Sequence, residues 1–147
     1  MRATEAVTDH QQSWRCPGCG RSFAPSGQSH SCRRVSLAEH LPAGDARRVL
    51  FDRLLERLEG EVGPCEVIAL PCCVHLFGTF DFLAVLPRKG RLELRFSLAR
   101  GLDHPRITRS LQTSSHAWTH CLDVSAETDV DDDVLGWVRE AYHRHDR

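Results

Sequence analysis

Arg91-Leu92-Glu93-Leu94-Arg95-Phe96-Ser97-Leu98 alternates polar and apolar residues without a break. Successive side chains of an extended chain point to opposite faces. Leu92, Leu94, Phe96 and Leu98 therefore line the core side of a sheet, and Arg91, Glu93, Arg95 and Ser97 the other side. Directly upstream, Pro87-Arg88-Lys89-Gly90 has hairpin-turn chemistry and joins this strand to an apolar run over 80–86. The sheet is thus antiparallel at its most legible point.

Working outward, the same period of two predicts strands at 65–70, 73–78 and 117–124, with weaker turn signals at Pro71 and Gly78-Thr79. Helical spacing appears on both sides of these strands. Over 43–59, Leu50, Leu54 and Leu58 recur every four residues, widened by Val49, Phe51 and Leu55, and Gly60, Gly63 and Pro64 stop the pattern. A last helix is expected from Thr128 as N-cap. Asp129, Asp131, Asp132 and Asp133 favour its positive end, and Val130, Val134, Val138, Ala141 and Tyr142 form its stripe. Residues 101–115 read as irregular, with one short helix after Pro105. The fold class is α+β: an antiparallel sheet of about five strands covered by two main helices, preceded by a small zinc knuckle.

The knuckle is read from Cys16-Pro17-Gly18-Cys19-Gly20, followed by His30-Ser31-Cys32. Two thiolates on a tight turn and a His/Cys pair beyond it can close a tetrahedron around one Zn²⁺, so Cys16, Cys19, His30 and Cys32 are the expected ligands and His40 the reserve for His30. Four protein ligands leave no position for water, which makes the site structural. The organisation expected is a disordered tail over 1–13, the knuckle and a short helix over 14–42 (capping-box spacing at Ser36-Leu37-Ala38-Glu39), and the α+β domain over 43–147. The chain holds seven cysteines, an odd count with Cys72 and Cys73 adjacent, which does not suit a disulfide framework. Outside the knuckle, Cys65, Cys72, Cys73 and Cys121 read as small buried hydrophobes, with a redox pair at Cys72-Cys73 as the alternative.

With both halves laid out, the chain resembles an uncharacterised bacterial family of small proteins. Its members carry an N-terminal zinc knuckle and a C-terminal domain of unknown function that also occurs at the ends of predicted transport and restriction-associated proteins. The residues that carry the resemblance are the knuckle with Gln28-Ser29-His30-Ser31-Cys32, Ser36-Leu37-Ala38-Glu39-His40 and Leu50-Phe51-Asp52-Arg53-Leu54-Leu55. The hairpin 86–92, His120 and Trp137-Val138-Arg139-Glu140-Ala141-Tyr142 complete them. The resemblance implies the α+β fold and supplies no activity. Thiols at Cys72, Cys73 and Cys121 depart from the family pattern.

Net charge is −1, yet its distribution is uneven. Arg15, Arg21, Arg33 and Arg34 accompany Trp14 with no acid among them, and Arg88, Lys89, Arg91 and Arg95 crowd the hairpin around Glu93. Two basic patches, one beside an aromatic ring, suit nucleic acid. A protein partner is the alternative. A small enzyme or ligand binder would draw on His75, His104, His116 or His120 near Asp103 or Asp123, with His120, Arg88 and Lys89 the first residues to test; no catalytic motif accompanies them. No apolar run approaches the ~20 residues that span a bilayer, and residues 1–13 lack the hydrophobic core of a signal peptide, so cytoplasmic residence without membrane contact is expected.

Overall fold

The structure is a computed structural model that describes residues 14–17, 19, 21–23, 27 and 32–145; the tail expected over 1–13 lies outside them. Strands β1 (Trp14–Arg15) and β2 (Ser22–Phe23) form a small ladder. Helices α1 (Leu37–His40) and α2 (Ala46–Glu61) follow. Six strands come next: β3 (Glu66–Ala69), β4 (Val74–Phe77), β5 (Asp81–Arg88), β6 (Arg91–Leu98), β7 (Arg109–Ser114) and β8 (Ala117–Val124). A 3-10 turn at Glu127–Asp129 leads into α3 (Asp132–Tyr142). The six strands make one antiparallel sheet in the order β3-β4-β5-β6-β8-β7.

The alternating octapeptide becomes β6, in the middle of that sheet. Leu92, Leu94, Phe96 and Leu98 are buried beneath α2 and α3, which contribute Leu50, Phe51, Leu54 and Leu58, and Val134, Leu135, Val138 and Ala141. The other sheet face carries a smaller apolar cluster of Ile68, Leu70 and Phe77. Gly90 closes the β5–β6 hairpin with φ +70°, a conformation that strains any residue with a Cβ. Pro87 is tolerated inside β5 because the pairing with β4 ends at Val74↔Val85, so its missing N–H costs no bond to that neighbour. Among the described residues, no helix is long and apolar enough to cross a membrane.

The structure corrects the reading in four places. The sheet has six strands, because Arg109–Ser114 pairs with β8 where irregular chain was expected. All six of its residues are exposed, so no apolar alternation betrays the strand; backbone bonds to β8 make it. Residues 105–106 form a turn and not a short helix. The last helix starts later than Thr128. Asp129 instead accepts from the backbone N–H groups of Ser125 (2.8 Å) and Ala126 (3.1 Å), and Asp131 caps α3 by accepting from the N–H of Val134 at 3.0 Å. Val49, expected in the core stripe, is 56% exposed at its border.

Tyr142 locks α3 to the sheet. Its hydroxyl donates to the Pro64 carbonyl at 2.8 Å, and its ring meets Phe82 edge-on at 4.8 Å. Gly63 and Gly78 lie against the ring, so closely that a Cβ at Gly78 would come within 2.6 Å of it. Gly78→Ala should therefore cost about 1–3 kcal/mol by overpacking. Tyr142→Phe, which loses only one hydrogen bond, should cost about 1 kcal/mol. Chemical denaturation ranks the two variants; equal stability of Gly78→Ala and the parent would contradict the close packing.

Candidate metal centre and basic surface

The knuckle is assembled by local pairing. Trp14 sits opposite Phe23, with ring centroids 6.2 Å apart, and the N–H of Cys16 donates to the Arg21 carbonyl at 2.8 Å. This closed turn carries Cys16 and Cys19, both buried, and Cys32 returns to them from 16 residues downstream. The sulfurs of Cys16 and Cys32 are 3.6 Å apart, and all three lie within 4.8 Å of one another. Thiolates ~2.3 Å from a tetrahedral zinc are themselves ~3.7–3.8 Å apart, whereas a disulfide needs ~2.05 Å. The three sulfurs are thus close enough together that they could hold one metal ion.

The surroundings fit the same donor set. Arg21 is only 5% exposed, and its Nε donates to the Cys19 sulfur at 3.3 Å while its guanidinium rests over the Phe23 ring at 5.2 Å. A buried guanidinium is favourable beside an anion, and a thiolate supplies one. Arg34 donates to the Cys19 carbonyl and braces the turn. Hydrogen bonding to Cys16, then burial, push the Cys32 thiol up to about 11. A coordinated cation overturns that preference by taking the place of the proton. Of the histidines, His30 lies outside the described residues. His40 is engaged elsewhere, with Nε2 2.6 Å from the Leu70 carbonyl, and so ties α1 to the end of β3.

The basic surface is narrower than the sequence implied. Arg15, Arg33 and Arg34 are exposed on the knuckle, and Lys89 is exposed at the hairpin tip. Arg21 belongs to the thiol site. On the outer sheet face, Glu93 accepts from Arg88 at 3.1 Å and from Arg95 at 2.6 Å, and Arg91 Nε lies 3.2 Å from Asp123. Burial opposes the charge on Glu93, but the two guanidiniums outweigh it and hold its carboxyl below the ordinary value. The three hairpin arginines thus face two carboxylates.

Among the described residues, His104, His116 and His120 lie apart from one another and do not share a site. His120 is fully buried, with Nδ1 2.7 Å from Ser110 Oγ and Nε2 2.9 Å from the Arg100 carbonyl; both ring nitrogens are bound and none meets solvent. His104 packs on Trp137 and reaches Asp133 at 3.4 Å. His116 is exposed in the β7–β8 turn. Of the histidines among the described residues, only His75 gathers with other metal-ligating groups. It sits with Cys72 and Cys73, a grouping the sequence reading dispersed by taking both cysteines as buried hydrophobes; Cys72 is exposed. The Cys-Cys-x-His spacing was the available signal.

The family model described as "Domain of unknown function (DUF5655)" matches residues 44–145, and the chain belongs to that family. Comparison with curated proteins and with solved structures found no match. The knuckle lies before the matched region.

Replacing Cys16 and Cys19 together by serine should remove one equivalent of tightly held metal per chain, measured by elemental analysis after dialysis. His40→Asn should leave the metal content unchanged. Full metal content in the double variant would refute coordination by this turn.

Proposed function

We propose that the chain is a zinc-stabilised binding module whose partner is nucleic acid, contacted mainly through the knuckle. The ion is Zn²⁺, held by Cys16, Cys19, Cys32 and His30, because three thiolates and an imidazole suit a borderline-soft d¹⁰ ion in a closed structural site. The observation that carries the reading is the convergence of three thiols in a turn flanked by Arg15, Arg33 and Arg34, with Trp14 only half-buried beside them. Zinc fixes the backbone, the arginines meet phosphates, and Trp14 offers a face for stacking. Lys89 extends the surface, while Arg88, Arg91 and Arg95 contribute less because Glu93 and Asp123 already neutralise them.

That division yields a measurable pattern in the salt dependence of binding to single-stranded DNA. Arg33→Ala and Lys89→Ala should each reduce the slope of log affinity against log salt by about 1 if each contacts one phosphate. Glu93→Gln should act in the opposite sense and strengthen retention by freeing Arg88 and Arg95. Lowering the pH through the depressed titration of Glu93 should do the same, with loss of whatever stability its ion pairs contribute. Absence of binding at low salt would overturn the nucleic-acid reading. A protein partner is the second reading, favoured by the fully exposed edge strand β7 with Leu111 63% exposed.

A further inference from the structure

We propose that Cys72, Cys73 and His75 form a second metal site, a three-ligand centre for a thiophilic d¹⁰ cation such as Zn²⁺, with Asp81 orienting the imidazole. The ligand atoms are already assembled. His75 Nε2 lies 3.2 Å from the Cys73 sulfur and 3.9 Å from that of Cys72, and the two sulfurs are 3.2 Å apart. Ligand atoms of a tetrahedral zinc, at ~2.3 Å for sulfur and ~2.0–2.1 Å for nitrogen, are separated by ~3.5–3.8 Å, so shifts of a few tenths of an ångström complete the triangle. Its other ring nitrogen, Nδ1, is 2.7 Å from Asp81 Oδ2. A carboxylate there fixes the tautomer that leaves Nε2 free to coordinate, and it raises the basicity of the ligand.

Topology explains why these four residues meet. Pro71-Cys72-Cys73 is the tight turn between β3 and β4, and His75 follows on β4 with its side chain on the sheet face away from the helices, in register with Ile68 on β3 and Ala84 on β5. A register irregularity at Leu76/Phe77, where β4 passes the start of β5, brings Asp81 alongside. The turn supplies two sulfurs, the strand an imidazole, and the next strand the carboxylate.

Two other chemistries fit the geometry less well. As a nucleophile, Cys73 is the thiol nearer the imidazole, but it is only 5% exposed, while the exposed Cys72 is the more distant. A base needs one sulfur partner; this imidazole faces two. A disulfide between Cys72 and Cys73 would require the sulfurs to close from 3.2 Å to ~2.05 Å and would withdraw both from coordination. Three protein ligands leave one tetrahedral position open for water or an added donor, the arrangement of reactive and not purely structural zinc sites. His75 and Asp81 also line an open cleft of about 270 Å³ that Arg95, Ser97 and Thr119 share.

The site does not depend on the knuckle, and the test keeps the two apart. Under reducing conditions the full chain, titrated with Zn²⁺ against a chromophoric chelator, should bind two equivalents. Cys72→Ser and His75→Asn should each bind one, and Asp81→Asn should still bind two with the weaker affinity lowered ~10–100-fold, as expected for loss of an orienting carboxylate. The Cys16→Ser/Cys19→Ser variant should keep one equivalent that Cys72→Ser then removes. Cys73 is buried and its replacement can disturb the fold, so the exposed Cys72 carries the test. A wild-type chain that binds no more zinc than Cys72→Ser and His75→Asn would overturn the proposal, whatever the knuckle does. So would an intact-mass measurement that finds Cys72 and Cys73 joined as a disulfide under the same reducing conditions.

Discussion

The pairing of β6 with β5 on one side and β8 on the other is the constraint on which the rest depends. One strand's alternation decides two surfaces at once. Leu92, Leu94, Phe96 and Leu98 must face the helices, because a one-residue slip would bury Glu93 and Arg95 instead. The same register sets Glu93 between Arg88 and Arg95 and opposite Asp123, and so decides how much positive charge the outer face has to offer. Core packing thereby limits electrostatics, and a patch that looks strongly basic in the sequence is partly neutralised in space.

Where patterns are periodic, the fold can be read directly. The strands at 91–98 and 117–124 keep their expected bounds because alternation and burial agree there. Arg109–Ser114 escapes notice because an edge strand exposed on every residue has no apolar period to report. The start of α3 is displaced for a different reason. A run of four acids near one helix end offers several competing caps, and only tertiary context selects Asp131 while Asp129 closes the preceding turn. His120 illustrates the same limit. Its position on a strand was legible, but the Ser110 and Arg100 partners that hold it in the core come from a strand and a loop that the sequence does not announce.

The cysteines divide in an instructive way. The Cys-x-x-Cys turn is visible from spacing alone, and Cys16, Cys19 and Cys32 converge as that spacing requires. Cys72 and Cys73 carry no such signal without His75 and Asp81, and Asp81 becomes adjacent only through the irregular pairing of β4 with β5. In both places thiols gather at a turn and a polar side chain approaches from behind: Arg21 toward Cys19 in the knuckle, Asp81 toward His75 in the sheet. Supporting groups of this kind, and not the ligands alone, separate a built site from a chance cluster.

In the proposed function, zinc organises the knuckle into the surface that meets the partner. Retention of the full chain on immobilised single-stranded DNA, followed through chelation and then through restoration of Zn²⁺, tests it most directly. The account predicts that retention disappears with the metal and returns with it, while far-ultraviolet circular dichroism of the α+β domain stays nearly constant. Retention unaffected by complete removal of the knuckle zinc would contradict it.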